Sequence, residues 1–395
     1  MKLKVLIISS ALFISSSALS QVSFRGYVEN RLFISKRDKG FSDTSPNEKL
    51  AVGGWNRARV TAESNISEIS YVNITLDYFN YFGEFARLYR LFEEQENSNT
   101  PYQKIRLDRA YLQITKEKFQ VTAGMQRISL GKSFIWSPFD VFNRINTTEP
   151  QEEKGGVNAV KFTYYPSNLS RIMLIASPEE TFGESRLGFL ADFNYKNTDF
   201  EIGVIKDYDG FRKRLIAGFN LKGELEAGYW IELAFIKEKN YVPVYGGTAD
   251  LEADYHWYRN YIIGIDYTLN IGNGLYVMAE YFNYDLGADD REDYDHMVLF
   301  GGRKSLLARD YLFGSIRYPI SMFSNISVAA IRNMVDGGMI IIPNYSLDIT
   351  RDVSLIAGMN LFSAEKGDEY NPPMSIMPVD LIGKNQFYLW LKVSF

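Results

Sequence analysis

The segment Asn385–Phe395 reads NQFYLWLKVSF, and its pattern decides how the rest of the chain is interpreted. Five apolar residues share one face of an extended strand: Phe387, Leu389, Leu391, Val393 and Phe395. The residues between them form a mostly polar face, so the segment has the period-2 alternation of a half-wet strand. In a soluble sheet such a strand would be an exposed apolar edge, which soluble proteins avoid. A closed barrel pairs its last strand with its first and has no edge, so the segment favours a barrel over the final strand of a soluble sandwich.

The two ends of the chain agree with export to an outer membrane. The final strand resembles the C-terminal signal of bacterial outer-membrane barrels, which is rich in aromatic residues and ends on Phe. At the other end, Lys2 and Lys4 precede the apolar run Val5–Ile14, and Ala18–Ser20 has small residues at the positions of a cleavage site. This pattern predicts a secretory signal peptide over residues 1–20, too short to span a membrane.

Residues 21–395 are predicted to form one all-β domain, a transmembrane antiparallel up-and-down β-barrel. The alternating segments number about 18, with about 16 as the alternative count. The clearest runs over 225–237, where Ile231 falls on the predicted lipid face and Glu232 on the lumen face. Every second connection is short and turn-like, as at Arg351–Asp352, while most of the others are long and polar. This alternation predicts short periplasmic turns and long extracellular loops.

Composition excludes several other classes of function. The formal net charge of −5 provides no basic footprint for nucleic acid. The absence of Cys excludes disulfides and thiol catalysis. The two histidines, His256 and His296, have no partner at metal-ligand spacing. We therefore predict no enzyme activity and no cofactor, and the 27 Tyr and 27 Phe suit the aromatic girdles of a barrel.

The third long connection, Ile128–Gly156, is too apolar for a loop in water, because it contains Phe134, Ile135, Trp136, Phe139 and Phe142. We predict that it folds into the lumen and narrows it, as the third loop of general porins does; packing at the rim is the alternative. Its charged residues would then set the field at the narrowest point: Lys132, Asp140, Arg144, Glu149, Glu152, Glu153 and Lys154.

A run of motifs around this loop resembles a known group of proteins. These are LDRAYL from Leu107, GMQR from Gly124, WSPFDVFN from Trp136 and GGVNAVK from Gly155. They resemble porin-like outer-membrane barrels related to the alginate-export and phosphate-selective porin types. The resemblance implies a channel or an exporter. The sequence departs from the pattern at Leu130, where a Trp is expected, and at Arg144, where a Pro is expected.

Four arginines fall on the polar side of the first two predicted strands: Arg25, Arg31, Arg57 and Arg59. Arginines on a pore wall would favour carboxylates or phosphates, which guanidinium groups bind in bidentate fashion. The alternative is a structural ladder neutralised by Glu29 and Glu63, which interleave with the arginines. Arg127, directly before the long connection, completes the predicted pore-lining set.

The sequence thus predicts an integral protein of the bacterial outer membrane that lets small hydrophilic solutes diffuse passively, with anions as one option. Residues 128–156 are its predicted constriction. The alternatives are an export or capsule-assembly barrel, and a structural or adhesin barrel without transport. The expected partners are outer-membrane lipids, lipopolysaccharide and the solutes, with no nucleic acid. The oligomeric state stays open between monomer and trimer.

Overall fold

A computed structural model describes residues 22–36, 50–92, 102–142, 153–208, 213–239, 255–296, 306–372 and 385–395. The predicted signal peptide and Arg144 lie outside these residues. Eighteen strands follow one another: β1 Ser23–Lys36, β2 Leu50–Ser67, β3 Ser70–Phe82, β4 Tyr102–Lys116, β5 Phe119–Gln126, β6 Val157–Ser167, β7 Ser170–Ser177, β8 Arg186–Tyr195, β9 Thr198–Tyr208, β10 Lys213–Glu224, β11 Gly228–Lys239, β12 Tyr255–Leu269, β13 Leu275–Tyr284, β14 Asp310–Ser321, β15 Ser324–Asn333, β16 Met339–Asp348, β17 Val353–Ser363 and β18 Gln386–Ser394.

The sheet closes on itself, because each strand pairs antiparallel with its sequence neighbours and β1 pairs with β18. Tyr27 lies opposite Ser394 at one end of this seam, and Ser35 lies opposite Gln386 at the other. The backbone N–H of Gly26 donates to the carbonyl of Phe395 at 2.9 Å, and Phe395 N–H donates back at 3.0 Å. The predicted closed barrel is confirmed, with 18 strands rather than 16.

Every second connection, beginning with residues 68–69 between β2 and β3, has only two to five residues. These connections lie at the end of the barrel that carries residues 22 and 395, and we call this the turn end. At the turn between β8 and β9, Lys196 and Asn197 both adopt positive φ, as the tight turns of β-hairpins require. The opposite end, with the longer connections, is the loop end. The predicted start of the strand over 225–237 is wrong. The sequence pattern places the preceding turn at residues 222–224, whereas β10 continues to Glu224 and the turn occupies residues 225–227.

The two faces of the wall differ as the alternation predicts. Large apolar side chains are exposed on the outside, among them Leu174, Ile202, Ile263, Ile316 and Val393. A wall that shows an apolar outer face all round has the surface that lipid tails require.

One α-helix interrupts the all-β pattern in the described residues, besides a short 3₁₀ helix at Arg291–Asp293. It is α1, Gly83–Phe92, in the connection after β3. The ring of Phe85 lies 5.2 Å from the inward-facing rings of Phe33 and Trp55, so the helix packs inside the mouth at the loop end. No helix in the described part of the chain is long and apolar enough to cross a membrane.

Candidate functional site

Residues 128–142, which we call the inner loop, leave the end of β5 and lie against the inner wall of the barrel. Phe139 is fully buried and belongs to an apolar cluster with Leu190, Ile205 and Ile216, which point inward from β8, β9 and β10. A side chain at Gly203 would meet the ring of Phe139 at 3.1 Å, so this wall position is shaped to receive the ring. The apolar wall thus shields Phe139 from water, which stabilises the docked loop.

The other large side chains of the inner loop pack further round the barrel. The ring of Trp136 lies 5.5 Å from that of Phe282 on β13 and 5.8 Å from that of Tyr311 on β14. Phe134 stacks on Phe313 at 6.1 Å while half of its surface stays exposed. The inner loop therefore follows the inner wall from β8 to β14.

Three inward-facing glutamates bind the backbone of this loop, and we call them the carboxylate row: Glu201 on β9, Glu232 on β11 and Glu280 on β13. Glu280 accepts hydrogen bonds from three consecutive backbone N–H groups, of Phe134 at 2.7 Å, Ile135 at 3.1 Å and Trp136 at 3.2 Å. The indole N–H of Trp230 donates to the same carboxylate at 2.7 Å. These bonds satisfy backbone donors that an irregular buried segment would otherwise leave unpaired.

Glu232 holds the middle of the inner loop. It accepts hydrogen bonds from the hydroxyls of Ser133 and Ser137, both at 2.7 Å, and from the backbone N–H of Phe139 at 3.2 Å. At Gly131, φ is +81°, and a Cβ there would lie 2.1 Å from the Ser137 oxygen. Glycine is therefore required at the bend that brings the loop onto this carboxylate.

Glu201 completes the row. It accepts from the backbone N–H of Gly131 at 3.2 Å and from the side-chain amide of Asn220 at 2.6 Å. All three glutamates are nearly or fully buried beneath the loop. Their described hydrogen-bond donors are N–H and O–H groups with no formal charge.

A charged cluster lies beside the inner loop on the lumen side of the wall. Lys132 Nζ lies 3.5 Å from Asp192 on β8, and Arg171 on β7 donates to the same carboxylate at 2.5 Å. Lys161 points inward from β6, close enough for its charge to interact with Arg171. Of these, Arg171 is the most exposed, with 41% of its side-chain surface accessible.

Several solved structures share this architecture. Acinetobacter baumannii OccAB1 aligns with a TM-score of 0.60 and 12% identity, over 95% of this chain and 96% of that one. Pseudomonas aeruginosa OccK9 (OpdG) aligns with a TM-score of 0.57 and 9% identity, over 96% and 98%. The P. aeruginosa outer membrane protein OpdK aligns with a TM-score of 0.55 and 9% identity, over 95% and 99%. The fold is that of an outer-membrane porin.

Neither a family model nor a curated protein matches the sequence. The porin fold is therefore shown by three-dimensional similarity at low identity. The predicted resemblance to porin-like outer-membrane barrels is confirmed at the level of the fold.

Within this porin fold, three of the four predicted ladder arginines are buried. Arg57 donates to both carboxylate oxygens of Asp77 at 3.0 Å, and Arg59 donates to them at 2.7 and 2.8 Å. Arg59 also pairs with Asp108 at 2.9 Å and with Glu153. The arginines are therefore ion-paired, but Arg57 and Arg59 bind mainly Asp77 and Asp108 rather than the predicted Glu29 and Glu63.

Arg31 is buried as well, 3.3 Å from Glu29 and with its guanidinium 4.3 Å from the centre of the Trp390 ring. A direct pore-lining role of Arg31, Arg57 and Arg59 does not fit this burial. Arg25 differs, since 65% of its side chain is exposed near the turn end, where it pairs with Glu63 at 3.0 Å.

The remaining predicted site residues are spread over different environments. Lys132 reaches the lumen-facing cluster, and Arg127 is exposed at the loop end of β5. Asp140 is buried and pairs with Lys154, so it does not face the aqueous path as predicted, because Lys154 folds back over it. Glu153 was predicted to act at the constriction with the other charged residues of the loop, but it pairs with Arg59 in the ladder.

Glu201 and Glu280 were not among the residues predicted from the sequence, and Glu232 was predicted on the correct face but without a binding partner. A signal for them was present. Glu280 lies between Met278 and Phe282 on the inward face of β13, and a carboxylate flanked by apolar residues on one face needs a buried donor.

Proposed function

We propose that this protein is an outer-membrane channel for the passive diffusion of small hydrophilic solutes, with no catalytic activity. The observation that carries the proposal is the inner loop, which is fixed to one side of the lumen by the carboxylate row. A barrel of this size holds an aqueous lumen unless something fills it. A loop attached to one wall narrows that lumen without sealing it, which is the arrangement a diffusion channel needs.

Membrane orientation follows from the same architecture. The turn end would face the periplasm and the loop end the outside, with lipid around the apolar outer face. The likeness to outer-membrane porins supports this placement. Outer-membrane lipids, including lipopolysaccharide, are the partners we propose for the outer surface.

We further propose that anions pass more readily than cations. The lumen-facing cluster has three cations, Lys132, Lys161 and Arg171, against the carboxylate of Asp192. The nearby Glu201 is covered by the inner loop and bonded to Asn220. The accessible part of the cluster is therefore net positive, and it takes over the role that the buried arginines were predicted to have.

A loop deletion tests the constriction. Removing Ser133 to Glu152 should leave the strand pairing intact and give a folded, heat-modifiable barrel. Single-channel conductance in planar bilayers should rise and ion selectivity should weaken, because the narrowing segment and Lys132 of the cluster lose their position. A folded deletion variant that conducts like the parent would contradict the proposal.

Single thiols test the path directly, since the chain has no cysteine of its own. A small charged thiol reagent should modify Lys132→Cys and reduce the current through the open channel. Asp140→Cys is the matched control on the same loop, and its thiol should react slowly because that position is buried. Equal rates at both positions would show that the inner loop does not border the path in this way.

A further inference from the structure

Near the loop end, the outer face of four adjacent strands carries a group of basic side chains that the channel does not use. These four, which we call the outer basic patch, are Lys206 on β9, Lys213 on β10, Lys237 on β11 and Arg259 on β12. Strand register places Lys206 opposite Leu215, Leu215 opposite Lys237 and Lys237 opposite Trp257. Exposed apolar neighbours on the same face, such as Ile202 and Ile263, show that this face points away from the lumen.

Each cation of the patch lies against an aromatic ring or a short loop. Lys206 Nζ lies 4.8 Å from the ring centre of Phe182 and donates to the carbonyl of that residue at 2.8 Å. Lys213 Nζ reaches the adjacent Gly183. These contacts bring two ammonium groups to the same point of the connection between β7 and β8.

The other two cations are associated with the aromatic residues of β12. Lys237 Nζ lies 5.6 Å from the ring centre of Tyr255 and 5.8 Å from that of Trp257. The Arg259 guanidinium lies 5.7 Å from the ring centre of Tyr261. Cations that lie over interfacial aromatic rings stay at the level of lipid headgroups while their stems remain apolar.

The patch is local, and the connection that Lys206 and Lys213 contact also carries acidic residues, Glu179, Glu180 and Glu184. None of its four cations forms an ion pair with a carboxylate of the described residues. Near the loop end, the other strands whose side chains are described add Arg332 on the outer face of β15 and the exposed Arg127 directly after β5. The positive charge is therefore concentrated on about a quarter of the circumference.

We propose that the outer basic patch binds the phosphorylated headgroup of a membrane glycolipid in the outer leaflet. This inference rests on the proposed membrane placement but not on conduction. The acyl chains of such a lipid would lie on the apolar side chains below the patch, including Val204, Leu215 and Phe235. Basic groups at the membrane surface attract anionic headgroups, so the charge of the patch matches this ligand.

The spacing of the patch favours a lipid headgroup over a free anion. Adjacent strands lie about 4.8 Å apart, so Lys206 and Lys237, two strands apart, have backbones separated by about 10 Å. A single phosphate ion contacts only part of such a row. A disaccharide headgroup with a phosphate at each end can span it.

The test uses the folded, full-length mature protein in detergent and measures lipid binding by native mass spectrometry. Three probes are compared: lipid A with two phosphates, the same lipid with its phosphates removed, and inorganic phosphate. The parent should prefer the diphosphorylated lipid. The variant K206Q/K213Q/K237Q should bind that lipid at least about tenfold more weakly and bind the dephosphorylated lipid like the parent.

A matched control removes three lysines from the turn end, K116Q/K118Q/K196Q, and should keep parental affinity. Equal binding of both lipid forms by the parent overturns the inference even if the variants fail to fold. So does parental affinity in the patch variant, or competition by inorganic phosphate at concentrations comparable to the lipid. The patch variant should conduct like the parent, because the patch lies outside the lumen. If the parent protein itself does not conduct, the proposed function is contradicted, but the lipid-binding result is unaffected.

Discussion

Two parts of the inner wall bury carboxylates in opposite ways. On β2 to β4, Asp77 receives the guanidinium groups of Arg57, Arg59 and Arg106 at 2.7–3.1 Å. On β9 to β13, the carboxylate row receives backbone N–H, hydroxyl, amide and indole donors. Glu280, for example, binds three successive backbone N–H groups of the inner loop.

The two kinds of buried carboxylate stabilise different parts of the barrel: the first stabilises the strand wall and the second holds the inner loop against it. Asp77 pairs with arginines on the two neighbouring strands, so its ion pairs fix the wall where it is already hydrogen-bonded. The carboxylate row instead holds a segment that is neither strand nor helix. An irregular backbone inside a barrel has many unpaired donors, and a carboxylate with two oxygens can accept several of them at once.

The largest effect on stability is expected in the cluster of Asp77 and its arginines. Asp77→Ala leaves Arg57 and Arg59 buried without their shared acid, and this should lower the free energy of unfolding by about 3–5 kcal/mol. Urea unfolding in lipid vesicles measures the loss. Glu63→Gln removes the acid of the exposed pair with Arg25 and should cost less than about 1 kcal/mol. Equal losses in both variants would mean that burial of the Asp77 cluster adds nothing.

A smaller effect on stability but a larger one on conduction is expected at the carboxylate row. Glu280→Gln replaces a charged acceptor of three N–H groups by an amide that itself donates, and should cost about 1.5–3 kcal/mol. The inner loop should loosen, which single-channel recording would show as higher and noisier conductance. Asp266→Asn, an inward carboxylate bonded only to Tyr276 among the described residues, is the control and should conduct steadily. If the Glu280→Gln channel shows the conductance and noise of the parent, apolar packing alone holds the inner loop in position.

The mildest effect on stability is expected at another buried carboxylate, Glu369, in the connection after β17. Like the carboxylate row, it accepts from donors without charge: Tyr311 at 2.6 Å, Asn333 at 2.8 Å and the Leu307 N–H at 3.2 Å. Burial, with a contribution from the nearby Asp336, raises the pKa of Glu369 to about 7.

Because the pKa of Glu369 is raised on folding, its stabilising contribution is present below its ordinary value near 4.5 and is lost as pH rises through about 7. Hydrogen exchange at the Leu307 amide, corrected for intrinsic rates, should report easier local opening at about pH 8 than at about pH 6. Glu369→Gln should abolish the difference. Burial raises the pKa of the Tyr311 and Tyr370 phenols that face this site, so both stay neutral over this range. A persistent pH response in that variant would therefore contradict the assignment.

Local alternation was sufficient to place most strands within a few residues of their positions in the barrel. Ile231 and Glu232 were assigned to the correct faces because neighbouring residues on a strand point to opposite sides whatever lies beyond them. The boundary after β10 failed because Gly223 and Glu224 read as a turn, while pairing with β11 extends the strand through both.

The candidate site was predictable in part. The apolar composition of residues 128–142 indicated a segment whose side chains must be buried, and the interleaved acids indicated that the arginines are ion-paired. Asp140 was assigned to the aqueous path because the sequence offers no way to see Lys154 folding over it. Asp77 and Asp108 were missed as partners because they lie on β3 and β4, and only the strand pairing places them beside the arginines of β2.

The sequence by itself determined the barrel: the strands, their lipid and lumen faces, and the alternation of turns with longer loops. Each follows from period-2 patterning and turn residues over a few positions. Only the tertiary structure decided which inward charges face water and which are sealed. Glu280 meets residues about 145 positions away, and Glu232 meets residues about 95 away. Such contacts depend on barrel closure and on the path of the inner loop, which no local pattern encodes.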